Sequence, residues 1–363
     1  MHIFNYIMIS MALVLGFLIF YRFPVISSSG SLGKTPLVSV IIPARNEEHN
    51  LPLILGDLAV QTYANLEVIC VDDGSVDQTA GIIRNSPARY INVAELPSGW
   101  RGKTWACQKG AEAATGDYFL FIDADVRLHE NAVAALMSRR ETDTPISVQP
   151  YHSMNKIYEN MSMFFNMIQT GATKLLFPFN VSTDGLFGPV VMIPRRLFEK
   201  FNGYEPVSDK CVEDYCLGKF YESKGIATRL YLGGGLFSFR MYSEGPKQLV
   251  EGWTKNFSTG AGITSRLMLL LSIIWITGIT VLPVELYIAL SRGWTLTAVI
   301  LALAYILVFL SLLRTSGKLG SFPLLSSLFY PLPLLAFHLI FIYSLVSTKV
   351  FKSTTWKGRR MQV

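Results

Sequence analysis

Two aspartates one residue apart, Asp123 and Asp125, close the apolar run Tyr118-Phe119-Leu120-Phe121-Ile122. A run of this kind, rich in aromatic and β-branched residues, reads as a strand buried on both faces of a helix-covered parallel sheet. Ligands of such sheets gather at the carboxyl ends of the strands. Two carboxylates placed there carry enough negative charge to hold a divalent cation against a diphosphate. A solvated turn would use the same pair, so the neighbouring segments matter. The run Leu37-Val38-Ser39-Val40-Ile41-Ile42 is followed by Pro43-Ala44-Arg45-Asn46-Glu47-Glu48, and Leu66-Glu67-Val68-Ile69-Cys70-Val71 by Asp72-Asp73-Gly74-Ser75-Val76-Asp77. Lys103 lies in a glycine-flanked segment that opens a helix, where a cation and free backbone N–H groups could meet a diphosphate; a solvated lysine at a helix start fits equally. Further along, Cys211-Val212-Glu213-Asp214-Tyr215 sets two carboxylates at the start of a helix expected from about 213 to 223, a place the helix macrodipole also favours for capping alone.

Positioning these groups requires an alternation of strands and helices. After the first strand a helix is expected from Glu47, after the second another from Asp77, and a third over 103–114 ahead of the carboxylate-ending strand. Such alternation predicts an α/β domain with a mainly parallel sheet, in which three polar strand ends converge on one crevice. Independent surface loops would carry the same residues. Asp72 also suits a cap of its own turn, and Asp77 reads as a helix N-cap. No Gly-x-Gly-x-x-Gly follows the first strand and no P-loop occurs, which speaks against dinucleotide and P-loop folds.

With 363 residues, half of them hydrophobic, the chain accommodates a globular part and membrane spans. Residues 3–21 carry no charge and are followed by Arg22 and Lys34. No basic segment precedes them and no cleavage-site pattern follows, so they predict a retained anchor, within 1–22, rather than a signal peptide. The flanking cations place the next domain, 36–260, in the cytoplasm, at the plasma membrane. Apolar segments near 267–290, 294–313 and 322–347 follow, then a basic tail over 348–363. Three spans after a cytoplasmic domain would put Lys349, Lys352, Lys357, Arg359 and Arg360 outside, against the positive-inside tendency. One segment is therefore expected to be re-entrant or interfacial: 322–347, broken by Pro323, Pro331 and Pro333, or else 267–290, with Pro283 and Glu285. The net charge of +6 suits anionic lipid or a diphosphate rather than nucleic acid. Ser27 to Gly33 reads as a flexible linker. The four cysteines lack zinc-like spacing and read as packing residues.

The ordered set Val-Ser-Val-Ile-Ile-Pro-Ala-Arg-Asn-Glu-Glu, Val-Asp-Asp-Gly-Ser-x-Asp, Asp-Ala-Asp and Val-Glu-Asp at 212–214 resembles the family 2 glycosyltransferases, inverting enzymes with a GT-A fold. With Gly-Trp-Arg-Gly-Lys-Thr-Trp-Ala at 99–106 and the C-terminal membrane segments, the chain looks most similar to bacterial carotenoid glycosyltransferases of the diaponeurosporenoate type. The resemblance implies a UDP-sugar donor, Mg²⁺ or Mn²⁺, and a lipid-soluble acceptor, a carotenoid carboxylic acid among the choices. A hopanoid, a polyprenyl phosphate or a glycerolipid are others, and a non-catalytic nucleotide-sugar-binding scaffold is the reading from another class. It implies that Pro43, Ala44, Arg45, Glu47, Asp72 and Asp73 surround uracil and ribose, that Lys103 meets the diphosphate, that Asp123 binds ribose or sugar, and that Asp125 holds the metal. Asp214, with Glu213 beside it, takes the place of the base that an inverting transfer requires opposite the leaving group. Processive relatives carry Gln-x-x-Arg-Trp where this chain has Glu251-Gly252-Trp253-Thr254-Lys255-Asn256, which implies a single transfer, with Trp253 and Lys255 closing over acceptor or diphosphate. Trp100 and Trp105 either wall the sugar or pack, and residues 157–179 read as an interfacial, acceptor-lining or core helix.

Overall fold

A computed structural model of the chain describes residues 2–27, 35–93, 95–179, 182–351, 353–356 and 359–362, with the side chains of 255–263 and 348–362 outside the description. The linker expected at Ser27 to Gly33 therefore lies almost wholly outside the described residues, as do the side chains of Lys255 and of the basic tail. The chain divides into two compact units: residues 24–152 with 182–240, and residues 1–23 with 153–181 and 241–363.

The first unit is the α/β domain. Its seven-stranded sheet contains β1 (Val38–Ala44), β2 (Leu66–Asp72), β3 (Arg89–Asn92), β4 (Tyr118–Ile122), β6 (Ile146–Gln149), β8 (Val190–Pro194) and β9 (Arg229–Leu232). They are ordered β3-β2-β1-β4-β8-β6-β9. All neighbours are parallel except that β8 runs antiparallel to both β4 and β6. A second sheet joins β5 (Val126–Leu128), β10 (Phe237–Phe239) and β7 (Tyr151–His152). Val40, Ile41, Ile42, Cys70, Val71, Leu120 and Ile193 have no more than 1% of their surface exposed, so the central strands are covered on both faces as their unbroken apolar runs predict.

The helices follow the expected alternation with shifted starts. The first is Leu51–Ala59, not from Glu47, because residues 48–50 form a turn after Asn46, whose φ of 52° lies in the left-handed region. The second is Thr79–Arg84, two residues beyond Asp77. The third, Gly102–Ala113, is seated hard on the sheet: a Cβ on Gly110 would lie 2.4 Å from Ile41 Cγ2.

Among the described residues, the second unit contains three helices long and apolar enough to cross a membrane, His2–Ile19, Arg266–Ser291 and Thr295–Leu319. Pro283 does not interrupt Arg266–Ser291. The first two run antiparallel at backbone contact, since a Cβ on Gly278 would lie 2.3 Å from the Met8 carbonyl oxygen; small residues permit such an approach. Glu285, 1% exposed, accepts hydrogen bonds from Asn5 Nδ2 at 2.5 Å and from the His2 ring at 2.8 Å. The last apolar region breaks into Leu324–Leu328 and the helix Pro331–Phe351. Residues 157–172 form a 3-10 turn and helix belonging to this unit, with Met163, Phe164, Phe165 and Met167 buried. Trp253 stacks on Phe165 and donates to Ser162 Oγ at 3.0 Å with no exposed surface. It is a packing residue of this unit, which corrects its expected role over acceptor or diphosphate.

Candidate active site

Because β1, β2 and β4 are adjacent and parallel, the segments after Ala44, Asp72 and Ile122 leave the sheet at one edge. The first two form a single knitted surface. Asp73 N–H donates to the Ala44 carbonyl at 2.9 Å, Asn46 N–H to Ser75 Oγ at 3.0 Å, Val76 N–H to Asn46 Oδ1 at 3.0 Å, Glu47 N–H to Thr79 Oγ1 at 2.8 Å and Glu48 N–H to Asp77 Oδ2 at 3.2 Å. Arg45 reaches the Asp73 carbonyl at 2.5 Å and its carboxylate at 3.6 Å. Asp72 uses its oxygens on Ser75 N–H, at 2.9 Å, and the Tyr90 hydroxyl, at 3.3 Å, so it shapes the turn. Asp77 accepts from Thr79 N–H at 3.0 Å and caps the second helix from two residues away. Asn46, Ser75 and Thr79 escaped the sequence reading, although short polar residues beside glycine are the usual signal of such turns.

The other half of the edge centres on Lys103. Its helix runs back across the sheet from this edge, so its first turn lies at the strand ends. Lys103 Nζ stands 2.9 Å from Asp123 Oδ1, 3.1 Å from Asp214 Oδ2, 3.3 Å from Glu213 Oε1 and 3.5 Å from the Gly188 carbonyl oxygen. One ammonium thus gathers carboxylates from β4 and from the helix Glu213–Ser223. Burial opposes its charge, but Asp123, Asp214 and Glu213 together hold the Lys103 pKa well above the ordinary lysine value.

Asp214, 4% exposed, also accepts from the fully buried Tyr204 hydroxyl at 3.0 Å. Burial pushes the Asp214 carboxyl up to about 7, with Lys103 opposing and Glu213 and Asp123 adding to the rise. Tyr204 was not foreseen. It follows the left-handed Gly203, and its N–H donates to Gln108 Oε1 at 3.0 Å. On the same helix Thr104 Oγ1 and Arg101 N–H donate to the Ser208 carbonyl at 2.8 and 2.9 Å, and Arg101 Nε to Asp209 O at 2.7 Å. The helix that carries Lys103 and the loop that carries Tyr204 are therefore one assembly.

Residues 187–189 cross the edge from β6 to β4. Phe187 exchanges hydrogen bonds with Ser147 Oγ on β6, and the Pro189 carbonyl accepts from Asp123 N–H at 3.0 Å. Between them, a Cβ on Gly188 would lie 2.6 Å from Asp214 Oδ2.

Asp125 sits in the two-residue turn between β4 and β5. Among the described residues no group of three or more His, Cys, Asp or Glu side chains is arranged to hold a metal. A single carboxylate at a strand end is the kind of ligand that Mg²⁺ takes when substrate phosphates and water complete its shell. Trp100 and Trp105 pack edge to face at 5.1 Å.

Residues 39–200 match the family model of glycosyl transferase family 2. The 4,4'-diaponeurosporenoate glycosyltransferase of Staphylococcus aureus strain USA300 is 31% identical over 98% of this chain and 96% of its own length, and that of strain MRSA252 is 32% identical over the same shares. The chain belongs to glycosyl transferase family 2. This family 2 enzyme shares its fold with the mannosyltransferase PcManGT of Pyrobaculum calidifontis, solved in complex with GDP-Man and Mn²⁺; the TM-score is 0.56 at 17% identity, covering 93% of this chain and 99% of the other. The α/β unit is thus a GT-A domain, and family 2 membership replaces the scaffold reading with an enzyme.

Proposed function

We propose that this enzyme moves a single hexose, glucose, from a UDP-sugar to a lipid-soluble acceptor with inversion, and that the acceptor is a carotenoid carboxylic acid. The observation that carries the reading is Lys103, whose one ammonium joins the carboxylate end of β4 to Glu213 and the buried Asp214. Donor activation and acceptor attack need those groups within one sugar's width of each other. In this reading Pro43, Ala44, Arg45, Glu47 and Asp73 surround the nucleoside, Asp72 supports their turn, and Asp123 meets ribose or sugar. Lys103 turns to the diphosphate. A divalent ion on Asp125 would neutralise charge on the leaving UDP when bound. Asp214 faces the incoming acceptor oxygen and would take the proton of a hydroxyl acceptor, with Glu213 at its side. The names of the S. aureus relatives support the acid acceptor.

The span ends support one membrane placement. Chain direction puts Arg22, Arg266, Arg314 and Lys318 at one end of the three long helices and Arg292 at the other. The cation-rich end faces the cytoplasm, and the GT-A domain leaves the first span on that side. Taken as the re-entrant segment, Pro331–Phe351 does not cross, and the basic tail stays there as well, which removes the conflict met in the sequence.

The test incubates membranes containing the enzyme with labelled UDP-glucose, UDP-galactose and GDP-mannose and a panel of lipids including a polyene acid. Label from UDP-glucose in the polyene ester is the expected product. Label entering only hopanoid, polyprenyl phosphate or glycerolipid refutes the acceptor, and label from GDP-mannose alone refutes the donor.

A further inference from the structure

An acid acceptor poses a charge problem that the site geometry makes acute. Around one ammonium stand three carboxylates, Asp123, Glu213 and Asp214, all within 3.3 Å of Lys103 Nζ. Polar groups beside them include the Tyr204 hydroxyl, the Gly188 carbonyl and the Cys107 thiol, which is buried and held neutral, its pKa well above the ordinary value. None of these supplies a second positive charge. An acceptor carboxylate would add a further negative charge, and a donor diphosphate would draw on the same ammonium. A buried site does not accumulate unpaired like charge; it takes up a proton instead. Of the three acids, Asp214 is the most deeply enclosed, with a 5% exposed side chain against 12% for Glu213 and 31% for Asp123.

We propose that Asp214 acts on an acid acceptor as a neutral carboxylic acid, donating a hydrogen bond from its own proton to one oxygen of the acceptor carboxylate while the other oxygen attacks the anomeric carbon. This rests on the acid-acceptor reading above and deepens it. The step balances without a base. The attacking oxygen's electron pair forms the new ester bond, the bond from C1 to the diphosphate oxygen breaks with its pair remaining on UDP, and the negative charge brought by the acceptor reappears on UDP. The proton on Asp214 never leaves. Tyr204 donates to Oδ1 and Lys103 to Oδ2 at 3.1 Å, so the acid proton sits on Oδ2 beside the lone pair that Lys103 uses. The position of the Asp214 carboxyl, pushed up to about 7 mainly by burial, agrees with a proton retained near neutrality.

The experiment uses the full-length enzyme in phosphatidylglycerol-containing vesicles with UDP-glucose and two acceptors of one skeleton, 4,4'-diaponeurosporenoate and the corresponding alcohol, from about pH 5.5 to about pH 9. Transfer to the acid is expected to be level at low pH and to fall about tenfold per unit above the ionisation of Asp214, whereas transfer to the alcohol rises over the same range. Asp214→Asn, neutral at every pH, should keep acid transfer within about tenfold of wild type at low pH, exceed wild type near the alkaline end, and lose alcohol transfer. Acid transfer that rises with pH overturns the proposal alone. So does an Asp214→Asn enzyme that binds UDP-glucose normally yet loses more than about a thousandfold of acid transfer. Conversion of the alcohol only overturns the acid-acceptor reading together with the proposal. The wild-type profile decides the question even where the variant does not fold.

Discussion

Gly188→Ala isolates the geometry of the site from its charges. The new methyl carbon would lie 2.6 Å from Asp214 Oδ2 and 3.4 Å from Lys103 Nζ. An ordinary carbon–oxygen contact begins near 3.4 Å, so Asp214 or residues 187–189 must yield by up to about 0.8 Å. Neither has much room. Asp214 is fixed by Tyr204 and Lys103, and the crossing segment is fixed on one side by Ser147 and on the other by Asp123 N–H. A misplacement of about 1 Å costs on the order of 100-fold in rate, so kcat should fall about 10- to 40-fold. UDP binding should stay unchanged, since the loops after β1 and β2 are untouched. Single-turnover hexosyl transfer and calorimetric UDP titration measure the two quantities. Gly56→Ala is the control: nothing lies within 4 Å of its Cβ position in the helix Leu51–Ala59, so it should leave transfer intact and add about 0.5–1 kcal/mol of stability. Wild-type kcat in Gly188→Ala would refute the claim that the Asp214 carboxyl must stand where it does.

Asp125→Ala should abolish metal-stimulated cleavage of UDP-glucose while uridine still binds; retention of metal stimulation, read by release of labelled glucose, places the ion elsewhere. Tyr204→Phe removes a hydrogen bond to the Asp214 carboxyl and should cost about 1.5–3 kcal/mol in urea unfolding. Losing that donor disfavours the ionised acid, so the midpoint of the pH–rate profile should move up, and an unmoved midpoint excludes Tyr204 from positioning Asp214. Asp214 also predicts a stability trend. Its folded pKa is raised from 3.8 to about 7, so the native state holds the proton longer than the unfolded chain. The contribution is complete below about pH 4 and is lost as pH rises toward 7. Urea midpoints for wild type and Asp214→Asn across this range should converge on that slope as their difference.

Much of the half built on the ends of β1, β2 and β4 was readable in the sequence because it is local. Unbroken apolar runs ending in polar clusters announced β1, β2 and β4, and parallel pairing then brings their ends together without further information. The encounter of Lys103 with Asp123, Glu213 and Asp214 was less accessible, since it joins residues 20 to 111 positions apart and depends on how tightly the helix Gly102–Ala113 seats through Gly110. The reversed direction of β8 had no signal, because a buried strand is apolar on both faces whichever way it runs. Residues 157–172 were equally ambiguous: a Met- and Phe-rich helix suits a core or a membrane-associated unit, and only contacts decide. The helix expected from Glu47 starts late because a left-handed Asn46 and the turn it begins intervene.

The joining of Arg101, Thr104 and Gln108 to Tyr204, Ser208 and Asp209 bears on how sparingly the enzyme spends activated sugar. In the proposed reaction, leaving-group assistance by Lys103 and nucleophile alignment by Asp214 would share one bracket, so a change to either would disturb the other. A loosened bracket would then still release the nucleotide but let water compete for the anomeric centre. On that reading, protection against futile hydrolysis would lie in this stitching, outside the residues proposed to touch the sugar.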